Sequence, residues 1–367
     1  MKSLMGGILS AAAVLFLFGG GQVCAAAPSF IGPLNTIKEL ASTVPANGDV
    51  NPYGVAIVPV TTGRLVANHI LVSNFNNADN FQGTGTTIVE ISPGGAGPAL
   101  FAQINPNSLP GPCPGGVGLT TALVVLRSGW VIVGSLPTTN GTIDTSGAGC
   151  LLVLNSSGKV VETIFGEDIN GPWDMTAFDK GTTATLFVTN VLNRTKEANG
   201  GIVTAGTVLR INLSIPPNGK PIVTSKLIIG SDFSERSDPN ALVIGPTGLG
   251  LGPNGTLFVA DTLNNRIAAI PDALTRNSTA GTGITISGGG ALNGPLGLAI
   301  APNGDIVTVN GGDGNMVETT PSGMQVAVKP VDITGTGAGT LFGLAISPDP
   351  RAVYFVNDAT NTLDILK

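Results

Sequence analysis

Short apolar segments separated by polar turns recur along the chain from about residue 51 onward. Each copy begins with an apolar segment of strand length, passes through a Pro-Asn-Gly type of turn and returns as a segment rich in Val, Leu and Phe. Because Asn and Gly tolerate positive φ, such turns predict antiparallel hairpins. The clearest copies are residues 245–267, 294–310 and 342–358, and looser ones begin near 52, 116 and 171.

The repeats predict an all-β fold, a β-propeller with six blades. A third strand such as residues 208–211 and a fourth such as 160–164 complete a four-stranded antiparallel meander. One such sheet cannot bury both of its faces, whereas six arranged around an axis cover one another. Repeats starting near residues 51, 114, 170, 244, 293 and 339 therefore predict a single propeller domain over residues 28–367.

The N-terminal segment is expected to close the ring. The last repeat ends after its third strand, at residues 363–366, and residues 35–41 precede the first repeat without a role of their own. An open ring would expose unpaired strand edges. We therefore expect residues 35–41 to supply the missing outer strand of the last blade.

Composition supports this fold and excludes one class of partner. The 53 Gly and 26 Pro residues suit many tight turns, and a hydrophobic content of 42% excludes a disordered chain. The net charge is −6, with no cluster of Lys and Arg that would neutralise several phosphates. Nucleic acid is therefore not an expected partner. We expect a monomer.

The first 27 residues have the pattern of an export signal. Lys2 is followed by an apolar stretch at residues 8–18 and by small residues at 23–27. Cys24 leaves a lipoprotein as the alternative, although Val23 directly before it fits that pattern poorly. The apolar stretch is too short to span a membrane. The sequence predicts an exported protein, periplasmic or extracellular, without a membrane span.

Two cysteines remain after the signal. In an oxidising compartment Cys113 and Cys150 predict a disulfide, and the alternative is two unpaired small apolar residues. Both fall at the same end of the second blade, where a bridge would restrain the loop of residues 137–149.

The best repeat resembles a known family. Residues 248–266 read GLGLGPNGTLFVADTLNNR, which resembles the NHL-repeat propellers and their relatives, the gluconolactonase-like and streptogramin-lyase-like enzymes. The resemblance is clear over residues 244–366 and weak over residues 51–230. It implies the propeller fold but no single activity, because this architecture hosts many.

Polar residues at the ends of the second strands are the candidate ligands of the rim. They are expected to gather at one end of the ring, together with Asp174 at the beginning of a first strand. The set is Asn74, Ser135, Asn190, Asp261, Asn310 and Asp358. As oxygen donors they would suit Ca²⁺ or another divalent cation better than a softer metal. The alternative is that they bond turn backbone, as Asp and Asn commonly do.

The resemblance to gluconolactonases implies a divalent ion at the axis. Asp174, Asn190, Asp261 and Asp358 are the candidate metal ligands, with Asp174 and Asp261 as candidate catalytic residues. The segment NGPWD at 170–174 is similar to that family's Glu-Gly-Pro-x-Trp motif, but Asn170 replaces the metal-binding Glu. His69 is the single histidine and begins a strand, which excludes a zinc site of several histidines and disfavours the lyase chemistry.

Loop lengths divide the rim into two halves. The loops after the second strands are long in the first three repeats, at residues 74–85, 135–149 and 190–206, and short in the last three. Long loops on a rigid scaffold often bind ligands. We therefore predict a non-catalytic binding or scaffold module for a protein, glycan or small molecule. The alternatives are a metal-dependent hydrolase or lactonase of the gluconolactonase type and a purely structural envelope protein.

Overall fold

A computed structural model describes residues 28–332, 334 and 337–367. These residues form six β-sheets around a common axis, and the predicted six-bladed β-propeller is confirmed. Helical structure among them consists of two single-turn 3₁₀ helices, Pro106–Ser108 and Ile143–Thr145. No helix in the described residues is long and apolar enough to cross a membrane. The predicted signal peptide and Cys24 lie outside the described residues.

The strands follow the chain from blade to blade. β1 is Ile37–Ser42. Blade 1 contains β2 Val50–Ile57, β3 Ile70–Asn76, β4 Thr87–Ile91 and β5 Ala99–Gln103. Blade 2 contains β6 Leu119–Val125, β7 Val131–Ser135, β8 Cys150–Leu154 and β9 Val160–Ile164. Blade 3 contains β10 Gly171–Asp179, β11 Thr183–Val191, β12 Val203–Ser214, β13 Ile222–Asp238 and the short β14 Leu242–Ile244.

The last three blades are more regular. Blade 4 contains β15 Pro246–Leu251, β16 Leu257–Asp261, β17 Arg266–Ile270 and β18 Ile284–Gly288. Blade 5 contains β19 Pro295–Ile300, β20 Ile306–Asn310, β21 Asn315–Thr319 and β22 Gln325–Pro330. Blade 6 contains β23 Leu341–Ile346, β24 Val353–Asn357 and β25 Thr362–Leu366.

The N-terminal strand closes the ring as predicted. β1 pairs antiparallel with β25, from Ile37 opposite Leu366 to Ser42 opposite Thr362, and becomes the outer strand of blade 6. The backbone N–H of Lys367 also donates to the carbonyl oxygen of Thr36. The two ends of the described chain thus share one sheet.

The core is divided into six apolar clusters, one between each pair of neighbouring blades. Between blades 1 and 2, for example, Leu71 and Ile88 pack with Val133 and Leu152. Inner strands are buried on both faces, so they are apolar at nearly every position, as in β8, whose five residues are all buried. Burial between blades therefore holds the ring together, because no blade encloses a core of its own.

Every first strand carries an irregularity near its beginning, at which the pairing with the second strand shifts. The second residue of this bulge is Gly in four blades: Gly54, Gly248, Gly297 and Gly343. A Cβ at Gly343 would overlap the carbonyl oxygen of Tyr53, and one at Gly297 would overlap that of Phe342. Neighbouring first strands thus come into backbone contact here, which is why glycine recurs.

Blade 3 departs from the repeat. β12 and β13 are 12 and 17 residues long, and β13 continues into a hairpin with β14, pairing Arg236 with Ile244. We call residues 236–244 the blade 3 hairpin. Its Ala241, Leu242 and Val243 pack in the apolar cluster that lies between blades 6 and 1 and extends to the axis. The hairpin therefore covers one end of the ring.

The closing strand should contribute strongly to stability. Ala41 on β1 is 9% exposed and packs in the cluster between blades 6 and 1. We expect Ala41→Asp to lower the free energy of unfolding by about 2–4 kcal/mol, because it buries an unpaired charge. Lys38→Ala, on the exposed side of the same strand, should change it by less than about 0.5 kcal/mol. Chemical denaturation measures both, and equal effects would contradict the assigned register.

Candidate functional site

Aromatic side chains close one end of the central channel. Tyr53 and Phe342 stack with ring centroids 3.9 Å apart, and Trp173 lies 6.3 Å from Tyr53 and 6.5 Å from Phe342. The indole Nε1 of Trp173 donates to the carbonyl oxygen of Val243 in the blade 3 hairpin at 3.2 Å. All three residues are bulge residues of first strands. We call this end, where the first strands begin, the upper face.

The second strands place the predicted rim residues in equivalent positions, with one exception. Asn74, Ser135, Asn190, Asp261 and Asn310 lie opposite the beginnings of their first strands, at Pro52, Leu119, Pro172, Pro246 and Pro295. In blade 6 the residue opposite Leu341 is Asn357. Asp358 therefore follows the equivalent position by one residue, which corrects the alignment made from the sequence.

Several of these side chains bond the backbone of nearby turns. The amide of Asn74 donates to the carbonyl oxygen of Thr43, at 3.0 Å. The Ser135 hydroxyl donates to the carbonyl oxygen of Gly116 and accepts the N–H of Gly118. The Asn310 amide donates to the carbonyl oxygen of Ala291, at 2.8 Å. These contacts match the turn-bonding alternative.

Asp261 is held in an ion pair. Its fully buried carboxylate accepts Arg266 Nε at 2.7 Å, and Asn264 Nδ2 lies 3.0 Å from both carboxylate oxygens. Arg266 and Asn264 therefore already neutralise and bond the group that the metal hypothesis requires. The arrangement is that of a structural turn.

A buried polar cluster lies at the upper end of blade 3. The Asn190 amide is 1% exposed, and its oxygen and nitrogen have no hydrogen-bond partner among the described residues. Asn170 donates to Asn193 at 2.7 Å, and the backbone N–H of Asn193 donates to Glu235 at 2.9 Å. Burial raises the pKa of Glu235 to about 8. Sequence reasoning missed Glu235, because no motif marks it and it lies on an outer strand.

The remaining candidate carboxylates occupy two different environments. Asp358 belongs to blade 6, and burial raises its pKa to about 7. Asp174 lies on the bulge of β10 and lines the central channel, where its Oδ2 accepts the N–H of Leu249 at 2.9 Å. Burial raises the pKa of Asp174 to about 7 as well.

The predicted metal ligands therefore do not fit an axial divalent ion. Asp174 faces the channel, Asp261 is paired with Arg266, and aromatic rings fill the axis at the upper face. Within the part of the chain that the structure describes, no three His, Cys, Asp or Glu side chains are close enough to hold a metal. His69 lies just before β3 and contacts Glu90, with Nδ1 3.1 Å from Oε1, as expected of a strand-end residue.

The long loops of blades 1–3 contact one another on the upper face. In blade 2, the Thr138 N–H donates to the carbonyl oxygen of Gly83 in blade 1 at 2.8 Å. Gln82 donates to the carbonyl oxygen of Pro239 in the blade 3 hairpin, at 2.7 Å, and Lys196 donates to that of Ser146 at 2.9 Å. Between the loops of blades 1 and 2 and the blade 3 hairpin lies a pocket of about 320 Å³. It is lined by Gln82, Gly141, Thr142, Ile143, Ser237, Asp238, Pro239 and Leu242.

The predicted disulfide is present. Cys113 and Cys150 are bonded, and Cys150 is the first residue of β8. Nearby, the N–H of Gly115 donates to the carbonyl oxygen of Ala148 at 2.7 Å. The bridge thus ties the segment before β6 to the end of the long loop of blade 2.

Six antiparallel blades around one axis, the last completed by the N-terminal strand, define a six-bladed β-propeller. The chain shares this fold with regucalcin, a calcium-binding protein from Agrobacterium tumefaciens, at a TM-score of 0.57 and 14% identity, covering 89% of this chain and 93% of that one. A gluconolactonase from Xanthomonas campestris has a TM-score of 0.53 and 12% identity, with 94% and 98% covered. A catalytically inactive virginiamycin B lyase from Staphylococcus aureus has a TM-score of 0.51 and 13% identity, with 90% and 99% covered.

These similarities establish the fold. No protein-family model matches the sequence, and no curated protein matches it either. Function must therefore be argued from this chain's own residues.

The buried carboxyl of Asp174 predicts a stability that depends on pH. Its pKa is about 7 in the folded protein, above its ordinary value near 3.9, so the folded state holds the proton more tightly. This contribution to stability is complete below about pH 4 and is lost as the pH rises to about 7. The free energy of unfolding of the unmodified protein should fall between pH 5 and pH 8, and in Asp174→Asn this decrease should be smaller by about 1–3 kcal/mol. Thermal unfolding at both pH values measures it.

The matched control is Asp79→Asn in the exposed loop of blade 1, which should retain the pH dependence of the unmodified protein. If Asp174→Asn and the unmodified protein lose equal stability over this range, the burial of the Asp174 carboxyl is not the cause.

Proposed function

We propose that the protein is an exported, non-catalytic binding module whose ligand site is the upper face of blades 1–3. The observation that carries the proposal is that the long loops of blades 1 and 2 and the blade 3 hairpin surround one pocket, while the long loop of blade 3 bonds the blade 2 loop beside it. A binding surface needs its loops held in one arrangement, and these hydrogen bonds provide that restraint.

The chemistry of the pocket favours a neutral, polar ligand. Its walls combine the polar side chains of Gln82, Thr142 and Ser237 with the apolar ones of Ile143 and Leu242. The carboxylate of Asp238 also lines the pocket, and Arg236 balances its charge at 3.0 Å. Next to it, Phe81 is 45% exposed in the blade 1 loop and offers an aromatic surface. Glycans, and peptide segments with few charges, match such a mixture of hydrogen-bonding and apolar groups.

The scaffold beneath the loops is rigid. Tyr53, Trp173 and Phe342 fill the axis directly below the hairpin, and the disulfide fixes the end of the blade 2 loop. The disulfide also supports the export part of the proposal, because such bridges persist in oxidising compartments.

The binding proposal is tested with loop variants. The protein is screened against a glycan array and against short uncharged peptides, and the tightest ligand is then titrated. We expect Phe81→Ala and Thr142→Ala each to weaken binding about tenfold, since a few central contacts carry most of the affinity. Ile284→Ala, an equally simple truncation of a residue 59% exposed on β18, is the control and should bind normally. Unchanged affinity in both loop variants would place the site elsewhere.

A metal-dependent hydrolase of the gluconolactonase type is the second candidate. In its favour are the fold shared with a gluconolactonase and the unpartnered, buried Asn190 amide beside the Asn170–Asn193 pair. Against it stand the Asp261–Arg266 ion pair and the filled axis.

Metal addition separates the two candidates. A specific ion at one hundred times its Kd would stabilise the protein by about 2.7 kcal/mol. We expect millimolar Ca²⁺, Mn²⁺ or Zn²⁺ to leave the unfolding temperature within about 1 °C of the metal-free value, because the carboxylates do not converge. Tightly held, stoichiometric metal together with lactone hydrolysis that Asp261→Ala abolishes would establish the hydrolase instead.

A further inference from the structure

The central channel is a second cavity, separate from the rim pocket. Each first strand is the end strand of its sheet and pairs on one side only, so six free strand edges face the axis. They enclose about 370 Å³. Along β23, exposure increases from Phe342, at 1%, to the half-buried Ala345 and Ile346. The channel thus opens where the first strands end, on the face opposite the rim loops.

The walls of this channel combine apolar side chains with hydrogen-bonding backbone groups. Its side chains are chiefly aliphatic or absent, as at Ala56, Gly250 and Ala299, while the free strand edges present backbone carbonyl and N–H groups. Of the described residues that line it, the titratable ones are two carboxylates, Asp174 and Asp179. The channel therefore attracts positive charge.

Asp174 occupies a position that the fold fills with glycine elsewhere. It follows Pro172 and Trp173 on β10 as Gly54 follows Pro52 and Tyr53 on β2. Gly248, Gly297 and Gly343 hold the same position in blades 4, 5 and 6. Four blades make this bulge with glycine, so the fold itself does not require a carboxylate there.

The carboxylate is deep and only partly satisfied by the protein. Asp174 is 8% exposed, the Leu249 N–H donates to its Oδ2, and the backbone of Met175 also hydrogen-bonds the carboxylate. Asp179 lies about 16 Å further along the same strand, at five residues of about 3.3 Å each. There it accepts the N–H groups of Arg127 and Gly181. Asp174 is therefore the acidic group available to a ligand inside the channel.

An organic ammonium ion matches these walls better than a metal ion. One carboxylate is available at this depth, and its single negative charge balances a monovalent ammonium ion but leaves a divalent cation half compensated in a buried site. An ammonium group has three donors, which Asp174 and the carbonyl oxygens of the strand edges can accept. The aliphatic walls suit an attached carbon chain, and 370 Å³ lies in the range of small-molecule sites.

We propose that the central channel binds an organic ammonium ion carried on a slender aliphatic chain, with its ammonium group on Asp174 and its chain directed toward the open end. The site is independent of the rim pocket, which lies on the other side of the aromatic closure. A ligand site in the channel and one in the rim pocket therefore do not depend on each other.

The proposal implies a specific dependence on pH. The ligand pairs with the ionised carboxylate, and burial raises the pKa of Asp174 to about 7 in the free protein. An alkylammonium group stays protonated well above that pH, as a lysine side chain does. Affinity should therefore rise about tenfold per pH unit below 7 and level off above 8. The other carboxylate of the channel, Asp179, lies at its mouth.

The experiment titrates three six-carbon probes into the protein at low ionic strength and pH 8. n-Hexylammonium carries the expected charge, 1-hexanol is its neutral analogue and hexanoate reverses the sign. We expect saturable 1:1 binding of hexylammonium, at least tenfold weaker binding of hexanol and none of hexanoate. Asp174→Asn, whose amide oxygen can still accept the Leu249 N–H, should lower hexylammonium affinity at least tenfold.

Asp364→Asn is the matched control, because Asp364 is 2% exposed but does not line the channel. This variant should bind hexylammonium with an affinity within twofold of that of the unmodified protein. The pH profile of the unmodified protein tests the same idea if Asp174→Asn fails to fold. Equal affinity for hexylammonium and hexanol, no saturable binding, or a flat profile between pH 5.5 and pH 8 would overturn the proposal.

Discussion

Backbone contact between neighbouring first strands is the constraint on which the structure depends. At the bulges of blades 4, 5 and 6 the chain approaches the next blade so closely that a Cβ at Gly248, Gly297 or Gly343 would overlap a carbonyl oxygen. This contact sets the radius of the ring and hence the width of the channel. The apolar clusters between blades then seal the ring outside it, one cluster for each pair of blades.

The same bulge also separates the two ends of the axis. Its first residue is large in three blades, and Tyr53, Trp173 and Phe342 meet above the contact, whereas its second residue faces the channel below. Of two consecutive bulge residues, the first therefore packs on the upper side of the aromatic closure and the second lies on the channel side. The axis is filled with aromatic side chains beneath the loops of the upper face, whereas the channel is open at the lower end.

Periodic features could be predicted from the sequence, and local departures could not. Six repeats of apolar strand and Pro-Asn-Gly turn are enough to identify the propeller, and the missing outer strand of the last repeat is enough to assign β1. Asp358 was misplaced because a shift of one residue leaves the hydrophobic pattern unchanged at a strand end. Asp174 was predicted on the rim, but the bulge turns it into the channel. Glu235 and the blade 3 hairpin have no counterpart in the other repeats, so aligning repeats gives no signal for them.

Departures from the repeat concentrate in blade 3. It carries Asp174 in place of glycine, the extended β13 with its hairpin, and the buried Glu235 on that strand. Burying a charged carboxylate costs more free energy than burying an uncharged one. Burial therefore raises the pKa values of Asp174 and Glu235, to about 7 and about 8. In a repeat protein the regular blades show what the fold needs, and blades 4–6 form without these groups. Asp174 stands at a bulge position that is glycine in blades 1, 4, 5 and 6, so the fold does not require its carboxylate, and natural proteins break their own local rules mainly at functional sites.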